Sequence, residues 1–175
     1  FASDIFSQTF TNELPGGAVV SLDAVAVGTT QYLLVATESG TAVLNLETDT
    51  VLTSGTAGAV VGAAITTSNR ILWATETQVH ISSEPVDLLA NNWGGVDLSS
   101  AARFPFSAPG TVTAVSSDLI GLTTGVARVF DDGAGNLLVQ QVTTSSATLP
   151  IGLSARGEWL STNATEAQDV SVAGK

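Results

Sequence analysis

Short apolar runs rich in β-branched residues alternate with Gly, Asn, Asp, Ser and Thr along most of this 175-residue chain. Runs of this kind, bounded by turn-forming residues, are typical of β-strands. Apolar residues at the 3.6-residue spacing of a helix are hard to find. The best helix candidate, residues 82–92 (SSEPVDLLANN), has a Ser/Glu/Pro start and predicts one or two turns. The pattern therefore predicts an all-β protein.

The predicted strands form three clear groups and a weaker fourth. In chain order they are residues 18–27, 32–37 and 41–46; 59–66, 71–75 and 78–82; 111–116, 119–123, 126–131 and 137–142; and 149–154, 158–162 and 169–174.

These groups repeat an internal sequence. Leu34–Glu38 (LVATE) matches Leu72–Glu76 (LWATE) 38 residues later, and IGLTT at 120–124 and IGLSA at 151–155 follow after a further 48 and 31 residues. Strand patterns precede and follow each copy, so the repeating unit is an antiparallel meander of three or four strands. Such a meander cannot bury both of its faces alone and must pack against its neighbours.

Over residues 18–175 this arrangement resembles the generic blades of a β-propeller, whose blades have a similar length and strand number. The chain lacks the Gly-His and Trp-Asp marks of the WD family and the Asp box of sialidase-like blades. The resemblance implies one all-β domain of about four units, preceded by an arm or closing strand at residues 1–17. The units would form a small closed propeller or an open array completed by an oligomer. A Greek-key β-sandwich is the alternative fold.

Composition indicates a surface that other molecules cover. Charged residues make up 12% of the chain, about half the usual proportion in soluble domains, and hydrophobic residues reach 44%. The longest apolar run, residues 57–65, is far too short to span a bilayer as a helix, so we expect no membrane insertion. Neutral faces of this kind suit a subunit of an assembly.

The charge balance and the missing residue types exclude several functions. Sixteen acidic residues oppose five basic ones, and a net charge of -11 disfavours nucleic acid and anionic lipid as partners. The absence of Cys excludes disulfides, thiol catalysis and cysteine metal sites. The absence of Met leads us to expect a processed or partial chain.

No set of residues points clearly to catalysis. His80, the single histidine, could act as a general base, but nothing resembling a nucleophile motif accompanies it. Glu38 and Glu76 occupy equivalent repeat positions and could form an acidic pair for glycoside hydrolysis. The segment 131–136 (DDGAGN) could offer oxygen ligands to Ca²⁺, although a hairpin turn explains the same letters. We therefore expect no catalytic residues, metal or cofactor.

The three tryptophans include one candidate for sugar binding. Trp93 lies in NNWGGVD, residues 91–97, where an aromatic face next to amide and carboxylate groups is typical of carbohydrate sites. Packing of the loop by Trp93 explains the pattern equally well, whereas Trp73, inside an apolar strand, is expected in the core. The candidate carbohydrate-binding residues are Asn91, Asn92, Trp93 and Asp97.

Three functions are compatible with these features. The favoured one is a non-enzymatic structural or adhesive subunit of an exterior assembly, such as a virion decoration or tail component or a cell-surface layer. It would be extracellular or on a virion surface, with further copies or other subunits as partners and glycans as a further candidate partner. The alternative is a carbohydrate-binding β-propeller lectin. A hydrolase that uses the acidic pair or His80 is the third hypothesis.

Overall fold

The computed structural model describes residues 14–55, 59–90, 93, 95–99, 104, 110–131 and 136–143, and three short strands beyond residue 150. Within these residues all regular structure is β-strand. The strands are β1 Val19–Val27, β2 Thr30–Thr37, β3 Gly40–Asn45, β4 Thr50–Gly55, β5 Val60–Ile65, β6 Ile71–Thr75, β7 Val79–Ser82, β8 Gly95–Asp97, β9 Val112–Ser116, β10 Leu119–Leu122, β11 Gly125–Asp131, β12 Leu137–Thr143, β13 Gly152–Leu153, β14 Trp159–Ser161 and β15 Ala167–Asp169.

The strands form four open antiparallel sheets, each a meander of consecutive strands. The first contains β1 to β4, the second β5 to β8, the third β9 to β12 and the fourth β13 to β15. This confirms the predicted all-β fold of antiparallel meander units. Hydrogen-bonded neighbours are always consecutive in the described strands, so none of these sheets has a Greek-key strand order. The predicted closing strand within residues 1–17 lies largely outside the described residues.

Three of the four copies of the sequence echo fall at the same place in successive sheets, whereas IGLSA overlaps β13, the first described strand of the fourth sheet. LVATE and LWATE lie on and directly after β2 and β6, and IGLTT overlaps β10; each of these is the second strand of its sheet. The Glu38 carbonyl accepts a hydrogen bond from the Val60 amide at 3.1 Å, and the Glu76 carbonyl accepts one from Val112 at 2.8 Å. Val60 and Val112 begin β5 and β9, so the first two copies of the echo mark where the first sheet bonds to the second and the second to the third.

The second sheet is covered on both faces, and β6 shows this directly. Ile71 and Trp73 pack in a cluster with the first sheet, while Leu72 and Ala74 pack in a cluster with the third. All five residues of β6 are buried, which is why the strand has a continuous apolar sequence. Two of the buried clusters of the described chain therefore lie one on each side of the second sheet.

Two features hold the second and third sheets at close range. Gly62 of β5 lies so near β9 that a Cβ there would be 3.2 Å from the Val115 amide nitrogen. Asp118, in the turn between β9 and β10, accepts hydrogen bonds from the amide and the hydroxyl of Thr67 at 2.8 and 2.7 Å. Glycine permits the first contact because it has no side chain.

The helix predicted over residues 82–92 is wrong. Ser82 is the last residue of β7 and pairs with Gly95 of β8. Only one turn follows, in which the Leu88 amide donates to the Pro85 carbonyl at 3.0 Å. The Val86 amide donates instead to the Asn69 carbonyl at 2.7 Å, outside the turn. In a helix over residues 82–92 the Val86 amide would donate to the Ser82 carbonyl, so its bond to Asn69 replaces the first helical hydrogen bond.

Candidate interaction surface on the first strand

Strand β1 has one face turned towards β5 and one turned to solvent. Its burial alternates along the strand, with Ser21, Asp23, Val25 and Val27 half-buried and the residues between them exposed. The nine-residue strand is joined to β2 by a tight turn in which Gly28 has a φ of 62°, a conformation that glycine adopts without steric cost. The alternation follows from the pleat of the strand.

Polar side chains on the inner face anchor β1 to β5. The Ala63 amide donates to Ser21 Oγ at 3.2 Å, and the Ile65 amide donates to Asp23 Oδ2 at 2.8 Å. These amides lie on the edge of β5 that is not paired with β6, so the two side chains satisfy donors that would otherwise lack a strand partner. The polar residues of β1 are thus structural, and they fix which face remains outside.

The outer face of β1 is apolar and open. Leu22 is 65% exposed, Val19 56% and Val20 39%, and Ala24 and Ala26 continue the same face. These five residues, which carry no charge and no hydrogen-bonding side chain, are called the β1 surface below. The other two large hydrophobic residues exposed within the described chain, Leu88 and Leu138, lie on other elements.

Neighbouring strands of the first sheet show that this face is normally covered. On β2 and β3 the residues beside the β1 surface, Val35, Ala42 and Leu44, are buried and form a cluster with Leu14. The cover ends at β1, which is the edge strand of its sheet among the described strands. The outward amide of Ala24 is taken by Asp23 Oδ1 at 2.8 Å. The exposed side chains of the β1 surface therefore lie beyond the end of this cover.

Trp93, the centre of the predicted carbohydrate site, lies in the core. It is 6% exposed and meets Trp73 edge to face, with ring centroids 6.1 Å apart. Asp97 is exposed on β8, and Asn91 and Asn92 lie outside the described residues. Packing, one of the two interpretations of Trp93, matches this position. Trp93 precedes β8, which carries Asp97, and the structure does not test a sugar site, which stays a prediction.

His80 alternates on β7 with two buried neighbours. Val79 and Ile81 are each 1% exposed, whereas His80 is half-buried and stacks on Trp73 with ring centroids 5.2 Å apart. It is paired with Asp97 across β7 and β8. Burial acts to raise the pKa of Asp97, but hydrogen bonds from the amide and side chain of Ser99 and the nearby His80 lower it overall.

The other candidate chemical groups have structural roles that the sequence did not reveal. Glu38 and Glu76 are exposed, and the backbone carbonyl of each accepts a hydrogen bond from the first strand of the next sheet. Asp131 pairs with Leu137 at the end of the β11–β12 ladder, and residues 132–135, on which the Ca²⁺ and turn interpretations depend, lie outside the described residues. No group of three or more His, Asp or Glu side chains in the described part of the chain is arranged to hold a metal ion.

Comparison with known proteins leaves the family open. No family model and no curated protein matches the chain. Among solved structures, it is similar to part of PorZ, an essential surface component of the type-IX secretion system of Porphyromonas gingivalis, at 19% identity and a TM-score of 0.42. The match covers 74% of this chain and 16% of PorZ. No helix among the described residues is long and apolar enough to cross a membrane.

Proposed function

We propose that this protein is a non-enzymatic structural or adhesive subunit of an extracellular assembly, on a cell surface or a virion, and that the β1 surface contacts a neighbouring subunit. The observation that carries the proposal is the contiguous apolar face of β1, with Leu22 65% exposed at its centre. Contiguous exposed apolar residues on a sheet edge are characteristic of interaction sites.

The arrangement of the sheets supports this assignment. Each described interface between meanders is built from apolar faces, and the second sheet needs a neighbour on each side to bury its own. The first sheet has the second on one side and an incomplete cover on the other. We propose that the blade-like array is completed by another subunit at β1. Burial of a single leucine side chain contributes about 1.5–3 kcal/mol, so the β1 surface could contribute substantially to association.

The test is a comparison of two leucines with nearly equal exposure. Leu22 is 65% exposed on β1 and Leu88 is 63% exposed in the turn after β7. Sedimentation velocity from micromolar to millimolar concentration should show concentration-dependent association of the unmodified chain. Leu22→Lys should abolish it, because a lysine would bury its charge in the contact. Leu88→Lys adds the same charge elsewhere and should leave association unchanged.

Two outcomes decide against the proposal. One is a chain that stays monomeric at every concentration and binds neither the particles nor the cells from which it comes. The other is equal loss of association in the two lysine variants, which would trace the effect to net charge. The alternative to a second subunit is that the chain's own fourth meander covers β1 and closes the ring. The protein would then be monomeric, and residue 22 of a Leu22→Cys variant would be protected from thiol reagents.

A further inference from the structure

A cleft of about 190 Å³ lies between the first sheet and the turn that follows β7. Leu52 of β4 and Val86 and Leu89 of the turn form its apolar side, and Val86 is 2% exposed. Tyr32 of β2 and Asp87 also line it, and the Asp87 side chain is at the exposed side. The cleft therefore combines apolar walls with a polar, negatively charged opening.

Hydrogen bonds hold both walls of the cleft in place. On one side, the Val86 amide donates to the Asn69 carbonyl at 2.7 Å. On the other, Asn45 Oδ1 accepts from the amides of Glu47 and Thr48 at 3.0 and 3.2 Å, which fixes the loop between β3 and β4. Walls held in this way need little ordering when a ligand binds, so less affinity is lost.

The electrostatics of the cleft favour a cation. Burial raises the pKa of Tyr32, and the negative charges of Asp87 and then Glu47 raise it further, so two carboxylates act on the phenol. Glu47 Oε2 is held by the Thr30 hydroxyl at 2.9 Å. None of the residues lining the cleft is basic. With Asp87 on the lining and no basic lining residue to offset it, the opening has a negative potential.

We propose that this cleft binds a basic side chain, lysine or arginine, of a protein partner. The aliphatic stem would lie along Leu52, Val86 and Leu89, as such stems do on apolar surfaces. The charged head would contact Asp87 and the Tyr32 ring. The net charge of -11 on the whole chain also favours basic partners. This inference goes beyond the proposed assembly function and uses none of the residues of the β1 surface.

The test uses the single tyrosine of the chain. In the full chain labelled with ¹³C-tyrosine, every tyrosine ring signal belongs to Tyr32. Titration with N-acetyl-arginine amide should shift these signals saturably, and the neutral isostere N-acetyl-citrulline amide should bind at least about fivefold more weakly. Asp87→Asn should weaken arginine binding by a similar factor. Glu76→Gln, the same charge change at an exposed carboxylate outside the cleft, should leave the Kd unchanged.

Three results would overturn the inference: equal binding of the arginine and citrulline probes, no saturable shift up to the solubility limit, or saturation by neutral oligosaccharides instead. If Asp87→Asn disturbs the fold, as near-UV circular dichroism would show, Glu47→Gln removes the second carboxylate and must weaken binding. A monomeric Leu22→Lys variant that still binds the arginine probe would separate this site from the assembly contact.

Discussion

Asp118 provides the sharpest test of how the sheets are joined. Its side chain is buried, with the residue 3% exposed, in the turn between β9 and β10. It accepts the Thr67 amide at 2.8 Å and the Thr67 hydroxyl at 2.7 Å, and Arg128 Nη2 lies 3.4 Å from the same carboxylate. Asp118→Ala would remove every one of these contacts, including the side-chain link from the third sheet to Thr67, while the backbone bond from Val112 to Glu76 remains.

The expected loss follows from the environment of each partner. A hydrogen bond to a charged group contributes about 1.5–3 kcal/mol when it is well buried. Thr67 is exposed, so water can replace part of what the mutation removes. The Arg128 side chain is 51% exposed, and its ion pair contributes about 0–1 kcal/mol. We expect Asp118→Ala to lower the free energy of unfolding by about 2–3 kcal/mol, and Asp118→Asn by about half as much, because its amide oxygen keeps one acceptor.

Urea unfolding followed by tryptophan fluorescence and by far-UV circular dichroism measures this loss, provided that the two transitions coincide. Arg128→Gln serves as the control for the exposed ion pair and should change the free energy of unfolding by less than about 1 kcal/mol. In a double-mutant cycle, Asp118→Ala and Thr67→Val should be non-additive. An Asp118→Ala variant as stable as the unmodified chain would refute the argument that this carboxylate joins the sheets.

Two further predictions concern pKa values. Asp87→Asn should lower the pKa of Tyr32, because removing a nearby negative charge stabilises the phenolate; ultraviolet titration of the single tyrosine measures this, and an unchanged curve would place Asp87 too far away to act. The pKa of Asp97 is lowered in the folded chain, so its stabilisation is present above the ordinary value of 3.8 and is lost as the pH falls through the folded value. Asp97→Asn should therefore lose less stability on acidification than the unmodified chain, and urea midpoints at neutral and acidic pH compare the two.

Much of the strand arrangement could be predicted from the sequence because most strands have an apolar pattern and end at turn-forming residues. The LVATE and LWATE echo correctly indicated equivalent strands in successive sheets. The carbonyls of Glu38 and Glu76, which follow these strands, bond to the first strand of the next sheet. A backbone contact of this kind requires no particular side chain, so it cannot be predicted from the sequence. The sequence pattern pointed instead to the two carboxylates as an acidic pair.

The strands that the sequence pattern did not predict are edge strands in which apolar residues do not alternate clearly with polar ones. β4, Thr50–Gly55, mixes Val and Leu with Thr, Ser and Gly, and β8, Gly95–Asp97, has three residues. Both obtain their conformation by pairing with β3 and β7. The helix predicted over residues 82–92 failed for the related reason that the Val86 amide bonds to Asn69. Local propensity is a weak guide where a long-range partner supplies the hydrogen bond.

The sequence by itself determined the class of fold, because alternation of apolar residues with turn formers leaves a chain few other ways to bury its hydrophobic groups. It also determined the acidic, weakly charged surface. Only tertiary packing decided which sheet faces pack against each other. Trp93 packs in the core against Trp73, whereas Leu22, also a hydrophobic residue, stays exposed. Burial depends on which sheet lies opposite, and residues far apart in the chain supply that sheet.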